Sequence, residues 1–273
     1  MAKRRFKLPG IQDLSKEQED ARALAKGGQH LIIGGPGTGK SVLALLRARR
    51  HHQDKEDYVF LVYNHLLNQA SRQLFGANLE SQQWQSWFMK LYLSVADEQV
   101  PKLAAKNGSN WQEIDWDGVL AAIHDLKQLP ERKFPYLVVD EGQDMPPQFY
   151  QALANLGFEN FYVVADQNQQ ITDQHSKISQ IADALDVDPA ERIELRLNHR
   201  NPYPVARLAS AFCVGDPASP CTELPAPGRS ATTPVLLEYG ACLLYTSPSP
   251  RDHSRYRVCR LLLEKGGGGG GGG

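Results

Sequence analysis

At 273 residues, with 41% hydrophobic and 22% charged positions, the chain is too long and too apolar for a disordered tail and can bury a core of its own. Its 30 Lys and Arg stand against 31 Asp and Glu, a net charge of −1, which excludes a uniformly basic surface as the means of holding a polyanion. No secretory signal and no apolar run long enough to cross a bilayer is present, so the expectation is a soluble, cytoplasmic protein with no membrane partner.

In chain order, Leu14-Ser15-Lys16-Glu17-Gln18 opens a first helix-like stretch. His30-Leu31-Ile32-Ile33 then reads as a strand and Ser41 to Arg50 as a helix. Between them lies Gly34-Gly35-Pro36-Gly37-Thr38-Gly39-Lys40-Ser41, the pattern G-x-x-x-x-G-K-[ST] in the strand–loop–helix context its mechanism requires. Glycines let backbone N–H groups turn inward around phosphates, and the helix N-terminus adds positive potential. Gly35, Pro36, Gly37, Thr38, Gly39, Lys40 and Ser41 are therefore the expected cradle for nucleotide phosphates, with Lys40 on the outer phosphates and Ser41 on magnesium.

A second strand is expected over 58–62 and a helix over Asn64 to Leu74. Helical patterns follow at Trp84 to Leu93 and Trp116 to Leu126, joined by the polar loop Asn107-Gly108-Ser109-Asn110. Trp84, Phe88 and Tyr92 share one helix face, which reads as core packing. Tyr136-Leu137-Val138-Val139 is a short buried parallel strand ending in Asp140-Glu141-Gly142-Gln143-Asp144. Carboxylates at that end of the strand face the phosphate site. One acid holds the magnesium shell and another accepts a proton from the attacking water, two jobs that suit the adjacent pair Asp140 and Glu141.

A helix over Gln148 to Leu156 leads to Phe161-Tyr162-Val163-Val164, which ends in Ala165-Asp166-Gln167-Asn168-Gln169-Gln170. Ile193-Glu194-Leu195 leads into Asn198-His199-Arg200. After these, Pro202 to Phe212 is helix-like, Gly215 to Thr233 is a proline-rich connector, and Pro234-Val235-Leu236-Leu237 reads as the start of another strand. Alternating strands and helices predict an α/β fold: a parallel sheet with helices on both faces.

This ordered set of motifs resembles the superfamily 1 DNA helicases of the UvrD/Rep kind. The resemblance covers about residues 12–240 and implies a RecA-like P-loop ATPase domain using ATP and Mg2+. It makes Gln18 the adenine-reading residue, and Tyr63 and Asn64 contacts to single-stranded DNA, with RNA left open. It makes Gln169 the γ-phosphate sensor and Arg200 a stabiliser of the transferring phosphoryl group. The implied division is a basic tail over 1–12 and an ATPase domain over 13–200 with a small helical insertion at 83–134. Residues 201–241 form a connector and the truncated start of a second RecA-like domain. The chain departs from the pattern in two places. Gln83-Trp84-Gln85 stands where relatives carry Thr-x-His, and Thr172 and Gln174 stand where relatives carry aromatic residues that stack on bases.

From Cys242 to Gly273 the sequence resembles the translation of a sequencing adapter ending in an unbroken glycine run; the natural alternative is a Pro/Ser linker with a glycine tail. Without it the body carries 25 basic and 29 acidic residues, net −4, so any DNA contact comes from local patches; Lys3, Arg4, Arg5 and Lys7 are one such patch, though they read more readily as a solvated tail. Cys213 and Cys221 show no metal-ligand spacing and are expected to be reduced. The resulting expectation is the ATPase domain of a DNA helicase, cut short and poorly active alone. Its rival is an ATPase switch that responds to nucleic acid without unwinding, for example in a defence system. A scaffold with a vestigial site fits less well, because it has no need for Lys40, Asp140, Glu141, Gln169 and Arg200 together.

Overall fold

The computed structural model describes residues 14–63, 81–104, 112–126, 133–166, 176–211 and 221–227. The expected helix 64–74, Asn64, Gln169, Thr172, Gln174, the N-terminal basic patch and the adapter-like tail lie outside the described residues.

Six strands form one sheet: β1 (Gln29–Gly34), β2 (Tyr58–Val62), β3 (Ser81–Gln83), β4 (Tyr136–Val139), β5 (Phe161–Ala165) and β6 (Ile193–Leu195). Their spatial order is β3-β2-β4-β5-β1-β6, and every pairing is parallel. The helices are α1 (Lys16–Ala23), α2 (Lys40–Gln53), α3 (Trp84–Ala96), α4 (Trp116–His124), α5 (Pro147–Asn155), α6 (Ile178–Ala184) and α7 (Tyr203–Ser210).

Strand periodicity sorts the core into two layers. Leu31, Ile33, Leu61, Leu137, Val139, Val163 and Ala165 point to one face, where Trp84, Phe88, Val119, Phe149 and Ile181 from α3 to α6 cover them. The alternate residues Ile32, Phe60, Val62, Val138, Tyr162 and Val164 point to the other face, against Ala21 of α1 and Leu43, Ala44 and Ala48 of α2. Both faces are thus covered by helices, as a nearly all-apolar parallel sheet demands. The insertion helices are not a detached lobe: Phe88 lies 5.1 Å from Trp116 and 5.7 Å from Phe149, ring centre to ring centre, so they share the core of the sheet's first face.

Every strand enters from the same end, so the carboxyl ends of β1, β4 and β5 stand side by side. That edge is where open parallel sheets bind ligands. Beyond β6 the chain returns beside it, with Leu197 bridged in parallel to Glu223. One expectation is corrected in this segment: Cys221 is disulfide-bonded, with its partner outside the described residues. Cysteine pairing depends on backbone approach set by the fold, which sequence spacing does not report.

Candidate nucleotide site

The loop between β1 and α2 forms because glycine sits where the backbone turns left-handed. Gly37 has φ +82°, and a Cβ there would stand 2.5 Å from Asn198 Oδ1; Gly39 has φ +91°, and its Cβ would stand 2.5 Å from Gln18 Nε2. The loop is therefore packed from two sides by residues remote in sequence. On one side the His199 amide donates to the Gly37 carbonyl at 2.9 Å, and Asn198 Oδ1 accepts from the Arg200 and Asn201 amides, both at 3.0 Å. This places the backbone of Arg200 against the loop while its side chain is exposed.

On the other side Gln18 closes a capping box at the start of α1, accepting from the Ser15 amide at 3.0 Å, and donates to the Thr38 carbonyl at 2.8 Å. An amide group has two donor hydrogens and two acceptor lone pairs, so one of each stays available for the edge of an adenine. Gln18 is thus both a loop fastener and a group with the valences that reading a base requires.

Lys40 opens α2 and is buried. Its Nζ donates to the Gly35 carbonyl at 2.9 Å and to Asp166 Oδ2 at 3.1 Å, the latter residue standing at the end of β5. The Ser41 hydroxyl donates to Asp140 Oδ1 at 3.2 Å. Asp140 is 2% exposed, and its carboxyl is pushed up to about 7, first by burial and then by the neighbouring Glu141 charge, with Ser41 and Lys40 opposing. A buried carboxyl in need of positive charge, beside a hydroxyl, is a pair of hard oxygen donors that fits a magnesium ion. Among the described residues no group of three or more His, Cys, Asp or Glu forms a protein-only metal cage, and magnesium seldom uses one.

Glu141 has φ 55° and ψ 47°, the left-handed region that an acidic residue adopts only where its surroundings hold it. The turn is held by the Tyr150 hydroxyl, which donates to the Gly142 carbonyl at 2.7 Å, and by Gln143, whose Nε2 donates to Glu141 Oε2 at 2.9 Å. The structure thus brings Gln18, the loop from Gly35 to Gly39, Lys40, Ser41, Asp140, Glu141 and the backbone of Arg200 to one edge of the sheet. Tyr63 follows β2 and packs partly buried against the core of the first face. Sequence reasoning gave no role to Gln143, Asp166 or Asn198. Their signal was position: a polar residue at a strand's carboxyl end next to a phosphate loop.

A RecA-like parallel sheet carrying this loop and an acidic strand end defines a P-loop NTPase of the helicase-like class. The profile of one family, described as Schlafen group 3, DNA/RNA helicase domain, matches residues 29–217, and the chain belongs to that family. Among solved structures, the crystal structure of Bacteroides Pif1 bound to ssDNA is similar, at 11% identity and a TM-score of 0.37. The likeness covers 72% of this chain and 45% of that one, so the chain spans less than half the length of that protein. No curated protein matches the chain.

Proposed function

We propose that residues 13–200 bind ATP with magnesium and hydrolyse it, and that the protein uses this cycle to move on or unwind DNA as UvrD-like helicases do. The observation that carries the reading is the convergence of Lys40, the Ser41–Asp140 pair and Glu141 at the ends of neighbouring parallel strands. Lys40 is the cation for the outer phosphates, and Ser41 with Asp140 would hold magnesium, which when bound draws charge from the phosphate oxygens. Glu141 takes the proton of the attacking water. Arg200 and Gln169 complete the charge stabilisation around the γ-phosphate. Gln18 reads the adenine edge, and Tyr63 with Asn64 contacts single-stranded DNA or RNA. A cytoplasmic setting suits a cycle fed by ATP.

The test is Glu141→Gln with a fluorescent ATP analogue and a phosphate-release assay. Binding should stay within about twofold while hydrolysis falls about 100-fold or more, the usual range for a lost general base. Turnover equal to the parent's would remove Glu141 from the role of base.

A second reading, an ATPase switch that senses nucleic acid without unwinding, is favoured by one observation. At the position where relatives carry Thr-x-His, the Gln83 side chain accepts from the Ser86 amide at 2.7 Å to cap α3, and Trp84 is buried in the core. Those groups are committed to holding the helix rather than a strand of nucleic acid. Single-strand-stimulated hydrolysis without separation of a labelled duplex would select this reading over the motor.

A further inference from the structure

We propose that Gln143 is a positioning residue for hydrolysis, holding the Glu141 carboxylate in register with the Lys40 end of the site; this deepens, and rests on, the ATPase reading above. Gln143 is fully buried, at 0% exposure, in the turn Gly142–Asp144. A buried amide is costly unless both its ends are bonded. Both are: Nε2 donates to Glu141 Oε2 at 2.9 Å, and Oε1 accepts from the Asp166 amide at 2.9 Å.

The partners fix which end of the amide is which. A carboxylate only accepts and a backbone N–H only donates, so a flipped amide would oppose both. Asp166 in turn holds Lys40 Nζ at 3.1 Å through its carboxylate. Lys40, Asp166, Gln143 and Glu141 therefore form one continuous line from the phosphate-loop cation to the proposed base. It crosses from the end of β5 to the end of β4, which pair directly.

Glu141 needs such a tether. Its backbone turns left-handed just past the end of β4, and the contact from Gln143 engages one carboxylate oxygen, Oε2. The other oxygen remains for the water whose proton Glu141 takes. A displacement of about 1 Å at a reacting group can cost on the order of 100-fold in rate, so a tether of this kind is felt in turnover rather than in binding.

The experiment compares the full chain with Gln143→Met, which keeps volume and loses both bonds, and Gln143→Glu, which keeps the acceptor for the Asp166 amide and replaces the donor to Glu141 with a like charge. Binding of fluorescent ADP, binding of ADP with aluminium fluoride as a mimic of the transferring phosphoryl group, and single-turnover ATP hydrolysis are measured in magnesium buffer. Both variants should bind ADP within about twofold of the parent while hydrolysis and aluminium fluoride binding each weaken roughly 10- to 100-fold. In a Glu141→Gln background the Gln143 change should add no further loss of hydrolysis, because the group it positions is already gone.

Parent-like hydrolysis in Gln143→Met would overturn the proposal, as would a parallel loss of ADP binding and hydrolysis, the mark of a packing role. If Gln143→Met fails to fold, Gln143→Asn, which keeps a neutral amide and shortens its reach to Glu141, carries the same comparison. A parent chain that binds neither ADP nor ATP removes the site reading and this inference together. Binding with parent-like Gln143 variants removes only the inference.

Discussion

Lys40 is a structural cation as well as the candidate phosphate ligand, and the two roles can be separated. Its ammonium, 6% exposed, faces the fully buried Asp166 carboxylate at 3.1 Å. Truncating one member of a buried ion pair costs about 3–5 kcal/mol, less whatever the remaining carboxyl recovers by taking a proton. Lys40→Ala should therefore lose nucleotide binding and also lower the unfolding free energy by roughly 3 kcal/mol in urea titrations. Adding Asp166→Asn should restore most of that stability and none of the binding. If the single variant unfolds at the parent's urea concentration, the pair contributes nothing to the fold and the line from Lys40 to Glu141 loses its anchor.

At the level of elements, legibility followed local chemistry. The runs Tyr58–Val62, Tyr136–Val139 and Phe161–Ala165 were readable to the residue, because a strand buried on both faces is short, apolar throughout and rich in β-branched residues. The Trp84, Phe88 and Tyr92 face was readable as core from its helical spacing, and all three are buried. By contrast β3, Ser81–Gln83, is a polar three-residue piece that becomes a strand only by pairing with Phe60, Leu61 and Val62. The sequence carries no sign of that. Gln143 and Asp166 escaped for the same reason: they lie at the ends of different strands, and only the β4–β5 pairing brings them together. The phosphate loop was legible because its chemistry is local, whereas its packing against Gln18 and Asn198 is not. The aromatic face of α3 gives a direct check. Phe88→Ala, at 0% exposure, should cost about 3–5 kcal/mol of unfolding free energy. Leu93→Ala on the same helix, at 49% exposure, should change it by no more than about 0.5 kcal/mol.

Across the whole molecule the sheet has a working end and a fastening end. The carboxyl ends of the strands carry the candidate nucleotide site, while the last turns of α2 and the loop before β1 tie down the amino ends. Arg47 donates to the Leu24 carbonyl at 3.0 Å and to that of Ala25, and lies 4.6 Å from the Tyr162 ring centre. Lys26 pairs with Asp54 at 2.5 Å and with Glu56 at 2.9 Å. His51 is buried, stacks at 4.6 Å on Tyr136 and meets Glu56 through Nδ1 at 2.7 Å. Burial lowers the His51 pKa, with Arg47 and Lys26 acting the same way and Glu56 opposing; His30, half-buried near Arg47, is lowered for the same leading reason. A histidine lowered in the fold stays neutral there while the unfolded chain takes up a proton. Its stability is therefore full above about pH 6.5, the unfolded value, and is lost as pH falls through the folded value. Below about pH 7 each such histidine should take away up to ~1.4 kcal/mol per pH unit in urea unfolding, while Asp140, raised to about 7, acts the opposite way, so the histidine contribution is read as the difference between parent and variant. His51→Phe, which keeps a ring against Tyr136, should remove about one proton from that slope while leaving nucleotide binding at the opposite end of the sheet unchanged. Equal pH slopes in the parent and in His51→Phe would mean that Glu56 offsets burial at His51, and that the fastening end tolerates a charged ring.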